Sequence, residues 1–388
     1  PISVLVNREA FLVMFPDATS KHSEVQRWPD PTEEQLEDLR QRFFTLASVS
    51  KSLIFAQAQP NMKKKMVTEI MHRIPEAITL AIGDGANDTD MITAAHIGVG
   101  IAGVEGTAAT NSADYAIGTF RMLHTLLFVH GFWTYQRIAN LVNFIFYKAV
   151  LLGFTQFIYV WHTFSGAQLF NDSLLQTYNV LFTALPIIGV AIFDKQLPRQ
   201  TAENNVVLYK EQQHQSFNFF VFGLWILRAI LHSLLMFYIP MVCFLSDNAF
   251  PSYTHANPSI ENSGVVSRGT VDQLFFSTTV FYCTALLPTL NIFYINKSIS
   301  LNNIIFCLIS LFLIMFVPWF LSLSAFFSYN PSLYGVVSLM YSSPTWWLVI
   351  IITLFVPMLA ELSWQVFVVQ YFPSLTQILQ EQLYVVRR

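Results

Sequence analysis

A polar segment, GDGAND at residues 83–88, combines residue types that hold metal ions and phosphoryl groups. Its two glycines allow tight turns and the close approach of a ligand. Asp84 and Asp88 carry hard carboxylate oxygens, which Mg²⁺ prefers, and Asn87 has an amide that can donate to a phosphoryl oxygen. These residues predict a site for Mg²⁺ and a phosphoryl group. A solvated turn, in which Asp, Asn and Gly are also common, is the alternative.

A basic segment, QPNMKKKMV at residues 59–67, follows another apolar run and begins a predicted helix. In open α/β sheets, ligands bind beyond the carboxyl ends of the strands. A lysine here would therefore face the same sheet edge as Asp84, and lysine binds phosphate as a point charge. The alternative is a solvated basic surface, which is the usual fate of a lysine run.

Among the polar residues within long apolar segments that could cross a membrane, Lys148, Asn179 and Thr183 are candidates for a functional role. A charge at the bilayer centre costs about 2.5–3.5 kcal/mol on insertion scales, so a buried lysine predicts a functional role. Snorkelling of Lys148 to an interface is the alternative. Asn179 and Thr183 lie one helical turn apart and either line a transport path or bond across helices.

The charge pattern of these two segments argues against a cation site. Cation pumps need oxygen ligands, usually several carboxylates. Between Arg137 and Asp194 the only residue with a carboxylate side chain is Asp172. A lone lysine suits an anionic or phosphate-bearing headgroup better.

The composition requires a membrane domain to position these residues. The chain has 388 residues, of which 54% are hydrophobic and 12% are charged, and residues 298–360 contain no Asp, Glu, Lys, Arg or His. A helix needs about 20 apolar residues to span a bilayer. We therefore predict six transmembrane helices at about 138–162, 174–193, 217–243, 273–295, 299–324 and 345–370.

The first 118 residues have the pattern of a soluble α/β unit. We predict two short strands around a turn at Asn7-Arg8, then strands at 52–58, 77–82 and 96–102. Asp30 is predicted to cap a helix that ends near Ser50, and Asn61 to cap a second one. Strands that alternate with helices favour a parallel, doubly wound sheet.

The remaining segments connect or end these domains. Residues 119–137 predict a juxtamembrane connecting helix, and residues 372–388 a cytosolic tail. Basic residues favour the cytosolic side; those on one side of the predicted spans are Lys195, Arg199, Lys210, Lys297, Arg387 and Arg388, whereas the other side has only Arg268. Both ends of the chain are therefore predicted to be cytosolic.

Several longer segments carry a family resemblance. TLAIGDGANDTDMITAAHIGVGIAGVEGTAATNSADYAI (79–117) resembles the hinge region of the phosphorylation domain of P-type ATPases. HGFWTYQRI, FYK and YNVLFTALP narrow the resemblance to the type IV branch, the phospholipid flippases. The resemblance implies part of an α/β haloacid-dehalogenase-like domain, with a Rossmann-like parallel sheet, followed by a bundle of six transmembrane α-helices.

The resemblance also implies roles for the candidate residues. Asp84 would bind the catalytic Mg²⁺ with support from Asp88, Asn87 would contact the phosphoryl group, and Lys63 would contact phosphate, with ATP as substrate. Lys148 would lie on the lipid route and Asn179 beside it. The family commonly has Tyr-Lys-Asn where this chain has Tyr-Lys-Ala, at 147–149, so the headgroup stays open.

The phosphorylated Asp of the family lies in DKTGT, which this sequence lacks. We therefore expect the C-terminal portion of a flippase, which cannot form the phosphoenzyme without the N-terminal part. The resemblance further implies a phospholipid substrate and a glycosylated β-subunit, contacted through the outer loop 245–271. It places the protein in a eukaryotic plasma membrane or endomembrane (Golgi or endosome), with no nucleic-acid partner. A P-type cation pump and a non-catalytic membrane relic are the alternatives.

Overall fold

The computed structural model describes residues 3–18, 32–103, 107–164, 166–212, 217–245, 273–296, 300–323 and 335–386. The chain forms two compact units, Pro1–Leu126 and Leu127–Arg388.

The first unit alternates short strands with helices, as the sequence predicts. Its elements are β1 (Ser3–Asn7), α1 (Arg8–Met14), α2 (Glu33–Val49), β2 (Ser52–Ala56), α3 (Pro60–Arg73), β3 (Leu80–Gly83), α4 (Thr89–Ala94), β4 (Ile97–Ile101), α5 (Ala108–Ser112), β5 (Tyr115–Ile117) and α6 (Met122–Thr125).

All strand pairs in this unit are parallel, but they form two sheets rather than one. β1 pairs with β2, and Leu5 lies opposite Ile54. β3, β4 and β5 form a second sheet in that order. The described strands β2 and β3 are not paired with each other. The predicted parallel direction of the strands is therefore confirmed, whereas the prediction that they form one sheet is wrong.

The segment after β1 is a helix and not the predicted second strand. Asn7 accepts a hydrogen bond from the backbone N–H of Arg8 and so caps α1. Phe11, Leu12 and Met14 are buried, and the Phe11 ring lies 5.4 Å from that of Phe55 on β2. A short apolar run fits a buried helix or a strand equally well, and here the cap at Asn7 and the packing of Phe11 against β2 together favour the helix.

The predicted helix caps are also shifted. α2 begins after Thr32, whose backbone N–H donates to Gln35 Oε1 at 3.1 Å; the predicted cap Asp30 lies outside the described residues. α3 begins at Pro60 after Gln59, so Asn61 lies inside the helix. Proline is favoured at the first helical position because the helix uses no N–H there.

Charged side chains hold α3 against α2. Arg73 contacts Glu37 at 2.8 Å, and this hydrogen-bonded guanidinium is the main reason why the pKa of Glu37 lies below its usual range. Met62 and Met66, nearer the start of α3, are buried in the core with Phe11. α3 therefore has a fixed orientation.

The second unit is a helical bundle. Its elements are α7 (Phe132–Thr163), α8 (Asp172–Thr177), α9 (Ala184–Phe193), α10 (Arg199–Asn204), α11 (Val207–Gln212), α12 (Phe219–Leu245), α13 (Gln273–Ile295), α14 (Leu301–Leu323), α15 (Val336–Ser342), α16 (Pro344–Tyr371) and α17 (Leu375–Val386). In the part of the chain that the structure describes, π-helical turns lie at Leu126–Gly131, where the two units join along the chain, and at Tyr178–Phe182.

Six helices among the described residues are long and apolar enough to cross a membrane, and each overlaps one predicted span. They are Met122–Thr163, Asp172–Phe193, Phe219–Phe244, Gln273–Ile295, Leu301–Leu323 and Pro344–Tyr371. The first begins 16 residues before the predicted position 138, because residues 122–137 are helical as well.

One of these helices, α13, forms the centre of the bundle. The most apolar 18-residue segment of α13 is 83% buried within the protein, whereas the corresponding segments of the other five helices are 22–39% buried. Its hydroxyl side chains bond to its own backbone, as Thr279 does to the carbonyl of Phe275 at 2.7 Å. These threonine and serine hydroxyls are therefore satisfied within the helix, which lets it be packed on most of its sides.

A buried ion pair joins α12 to α16. Arg228 Nε lies 2.8 Å from Glu361 Oε2, although this N–H has no hydrogen-bond partner among the described residues. The guanidinium also lies over the rings of Tyr147 and Trp225, at 5.6 and 5.1 Å. Charge and ring contacts therefore hold Arg228 rather than an aligned hydrogen bond.

This pair yields a stability prediction. Arg228→Met or Glu361→Leu alone leaves a charge unpaired in the bundle and should lower the free energy of unfolding by about 3 kcal/mol. The double variant leaves no lone charge and should cost about 1 kcal/mol or less. Chemical unfolding of the complete protein in detergent measures both. Single variants that cost no more than the double variant would show that the pair is not coupled.

Candidate functional sites

The polar loop follows the carboxyl end of β3. Gly83 ends the strand, Ala86–Asp88 form a single 3-10 turn, and α4 begins at Thr89. Asp84 and Asn87 are exposed and Asp88 is half-buried. Among the described residues, the Asp84 carboxylate has no hydrogen bond or ion pair, so it is available to a ligand.

Gly83 is required by the close approach of Asp88. A Cβ at position 83 would overlap the Cβ of Asp88 and lie 2.7 Å from its Oδ2. The absence of a side chain therefore lets the loop fold back against the end of its own strand. Both carboxylates of the loop are in this way held at the edge of the sheet.

One lysine of the basic segment contacts this loop. Lys63 in the first turn of α3 contacts Asp88 Oδ1 at 2.6 Å through its ammonium group. Lys65 instead pairs with Glu69 at 3.2 Å, and Lys64 is exposed. The segments after β2 and β3, 25 residues apart, thus bring a cation and a carboxylate together, as the strand-end rule predicts.

This arrangement can hold part of a magnesium–phosphoryl site. Asp84 is a free hard ligand and Lys63 can bind a phosphate oxygen. The described residues contain no cluster of three His, Cys, Asp or Glu side chains that could hold a metal. Because Mg²⁺ is usually bound by one or two carboxylates together with phosphate and water, two carboxylates are a sufficient protein contribution.

A second candidate site lies inside the bundle. Lys148 on α7 is 8% exposed, and its ammonium donates to Thr183 Oγ1 at 2.9 Å. Among the described residues no carboxylate pairs with it. An ammonium has three donors, and the described residues use only one here, so the other two can reach an anionic group.

The helix beside Lys148 is interrupted where Thr183 lies. Tyr178–Phe182 form a π-helical turn, and both the N–H and the Oγ1 of Thr183 donate to the carbonyl of Tyr178, at 3.2 and 2.9 Å. π-helical turns often occur at functional sites. Here the turn directs Thr183 toward Lys148.

Asn179 does not join this pair. Residues four apart lie on one face of an α-helix, as Asn179 and Thr183 would. A π-helical turn is wider, and residues five apart lie on one face. Tyr178 therefore lies on the same face as Thr183. Tyr178 and Thr183 are buried, whereas Asn179 is exposed. The expectation that Asn179 and Thr183 lie together, one turn apart, is therefore wrong.

Two supporting contacts had no signal in the sequence. The Tyr178 hydroxyl donates to the backbone carbonyl of Lys148 at 3.1 Å, and Ser310 Oγ on α14 donates to the carbonyl of Phe182. Serine in an apolar helix commonly bonds to its own backbone, so sequence alone does not predict a contact across helices. These contacts join the π-helical turn to α7 and to α14.

Comparison with known proteins assigns the family. Residues 110–374, well over half of the chain, match the model of the C-terminal region of phospholipid-translocating P-type ATPases. The chain belongs to this family. The family resemblance predicted from the sequence is thus confirmed, and with six apolar helices the chain is an integral multi-pass membrane protein.

Relatives from fungi and plants agree with this family. The chain is 32% identical over 358 residues to the phospholipid-transporting ATPase DRS2 of Saccharomyces cerevisiae, and this match covers 90% of the chain and 25% of the relative. It is 32% identical over 343 residues to the probable phospholipid-transporting ATPase 4 of Arabidopsis thaliana, and this match covers 85% of the chain and 26% of the relative. The chain thus spans about a quarter of the length of these relatives, and the family match does not favour a cation pump.

Proposed function

We propose that this chain is the C-terminal part of an ATP-driven flippase that moves phospholipids from the exoplasmic to the cytosolic leaflet. The observation that carries the proposal is the buried ammonium of Lys148, bonded to Thr183 at a π-helical break. It offers a positive charge within the membrane domain to a headgroup phosphate. The names of the relatives, phospholipid-transporting ATPases, support the same substrate class.

The lipid route in this proposal includes Lys148, Thr183 and Asn179. Lys148 and Thr183 would contact the headgroup, and the exposed Asn179 would border the path without bonding to the other two. Ala149 is also exposed and offers no polar contact. The polar contacts to the headgroup in this proposal therefore come from Lys148 and Thr183.

The cytosolic unit would supply half of a haloacid-dehalogenase-like phosphorylation domain. Asp84, with support from Asp88, would hold Mg²⁺, which neutralises charge on the phosphoryl group. Asn87 would donate to a phosphoryl oxygen, and Lys63 would hold Asp88 in place and add positive charge. ATP would be the phosphoryl donor, and the phosphorylated Asp would belong to the preceding part of the protein.

The first unit has surfaces that such a preceding part could cover. Parallel sheets are normally covered on both faces, yet the facing residues Leu5 and Ile54 are 70% and 55% exposed. β2 and β3 also each have one edge that is unpaired among the described residues. Strands from the N-terminal portion of the complete protein could join the two sheets there.

The remaining assignments follow from the family. We propose residues 1–118 as phosphorylation domain, 119–137 as connecting helix and 372–388 as cytosolic tail, with both ends cytosolic. A glycosylated β-subunit would contact the outer loop 245–271, which lies almost entirely outside the described residues. The compartment would be the plasma membrane or an endomembrane of a eukaryotic cell.

A reconstitution experiment tests the function. The complete protein is placed in vesicles that carry a fluorescent phospholipid, and a reductant that does not cross the membrane reports the lipid in each leaflet. We expect Mg²⁺- and ATP-dependent movement of the phospholipid. ATP hydrolysis with unchanged lipid distribution across a panel of headgroups would contradict the proposal.

The contact between Gly83 and Asp88 gives a test of the cytosolic site. In the complete protein, Gly83→Ala should displace Asp88 from Lys63 and lower Mg²⁺-dependent ATP hydrolysis about tenfold, as loss of a supporting contact at a metal site does. Gly118→Ala is the matched control, because a Cβ there meets only ordinary contacts, the nearest 3.7 Å away at Met122. Equal activities of the two variants would show that this contact does not matter.

A further inference from the structure

A buried chain of hydrogen bonds includes Tyr147, the residue that precedes Lys148 on α7. Asn291 Nδ2 on α13 donates to the hydroxyl of Tyr147 at 2.9 Å, and that hydroxyl lies 2.7 Å from His232 Nδ1 on α12. Asn291 and Tyr147 are each 1% exposed and His232 is 5% exposed. This is the Asn291–Tyr147–His232 chain.

The groups of this chain have complementary donors and acceptors. The amide nitrogen of Asn291 donates to the Tyr147 oxygen. The Tyr147 hydroxyl then has its own proton left for the tautomer of His232 in which Nδ1 is the acceptor. Tyr147 is therefore fully used in joining α13 to α12, and no other described group is needed to satisfy it.

Tyr147 and Lys148 are neighbours on α7 and point in different directions. Successive residues of an α-helix are about 100° apart around its axis. Tyr147 points to α12 and α13, whereas Lys148 points to Thr183 at the π-helical turn. A rotation of α7 that breaks the contacts of Tyr147 would also turn Lys148 away from Thr183.

We propose that the Asn291–Tyr147–His232 chain is a positioning device that fixes the rotation of α7 and thereby aims Lys148 at the headgroup. This inference rests on the proposed function of Lys148. The three residues act through Lys148 and do not contact lipid themselves. Their effect should thus appear in the lipid concentration that half-saturates ATP hydrolysis and not in the maximal rate.

The structure provides a matched control for this proposal. Tyr159 lies on the same helix and its hydroxyl accepts from Gln273 on α13 at 2.7 Å. It is also buried, but it lies 11 residues beyond Lys148. Tyr147→Phe and Tyr159→Phe each remove one buried phenolic hydroxyl between α7 and α13, and only the first is next to Lys148.

The test uses the complete protein in vesicles and measures ATP hydrolysis against phospholipid concentration. We expect Tyr147→Phe to raise the half-saturating concentration about tenfold, as loss of a buried hydrogen bond does, with little change in maximal rate. Tyr159→Phe should leave both values near those of the unchanged protein. Equal effects of the two variants, or a loss of maximal rate alone, would overturn the proposal.

A double-variant experiment separates positioning from general packing. Thr183→Val removes the partner toward which Lys148 is aimed, so Tyr147→Phe should have little further effect in that background. Full additivity would overturn the proposal, because independent sites add. His232→Asn keeps an acceptor near the position of Nδ1 and should retain more lipid affinity than His232→Leu, which gives a second test if Tyr147→Phe does not fold.

Failure of this proposal can be distinguished from failure of the proposed function. If Lys148→Met leaves the lipid dependence unchanged, both are wrong. If Lys148→Met weakens the response to lipid while the Tyr147 and Tyr159 variants behave alike, only the positioning role is wrong.

Discussion

Lys148→Met should abolish most of the stimulation of ATP hydrolysis by phospholipid. Loss of a buried, hydrogen-bonded charge from a binding site costs about 2–5 kcal/mol, and each 1.4 kcal/mol is tenfold in affinity. We therefore expect the half-saturating phospholipid concentration to rise about 30-fold or more. Removing a buried ammonium also removes its desolvation cost, so the variant should remain folded.

Two further variants make this result specific. Thr183→Val removes the hydroxyl that accepts from Lys148 and should weaken lipid stimulation in the same direction. Thr155→Val is its matched control, because Thr155 is equally buried but bonds only to the carbonyl of Leu151 on its own helix. If Lys148→Met and Thr183→Val both respond to lipid as the unchanged protein does, the headgroup contact is refuted.

Asp84→Asn should have the second large effect, on the metal-dependent step. Substitution of groups that merely support a metal ligand costs about 10–100-fold in metal affinity or activity, and a direct ligand should reach at least the upper end of that range. We expect Mg²⁺-dependent ATP hydrolysis by the complete protein to fall about a hundredfold. The Mg²⁺ concentration required for half-maximal activity should rise, because one carboxylate ligand is lost.

The chain contains a control for this substitution as well. Asp90 lies six residues further on, in the first turn of α4, and is also exposed. Asp90→Asn removes the same charge from the same region without touching the proposed ligand set. An equal loss in both variants would mean that general charge near the loop, and not ligation by Asp84, supports the activity.

The sequence identified the candidate sites through the types of residue present, and the predicted helices and strands contributed less. The lysine in an apolar span and the acidic loop after a buried strand indicate candidate sites by residue type alone, with a snorkelling lysine and a solvated turn as the alternatives. The meeting of Lys63 with Asp88 also follows from the rule that parallel strands end at one edge. The pairing of Lys148 with Thr183 follows only in part, since sequence gives the two residues but not their approach.

Other features depend on packing that local patterns do not contain. The position of Asn179 was predicted incorrectly because a π-helical turn inserts one residue into the helical repeat, and no residue type marks it. The apolar run after Asn7 became a helix because its buried face meets β2 and α3, which the run itself does not encode. The Asn291–Tyr147–His232 chain depends on contacts between residues more than 80 positions apart.

The most direct measurement is ATP hydrolysis by the complete protein in vesicles, with the phospholipid headgroup varied at constant ionic composition and then the transportable cations varied at constant lipid. We expect the rate to depend on the headgroup and to be insensitive to the cations, apart from Mg²⁺. A rate that follows a transported cation and ignores the headgroup would contradict the assignment of Lys148 and Thr183 to a phospholipid path.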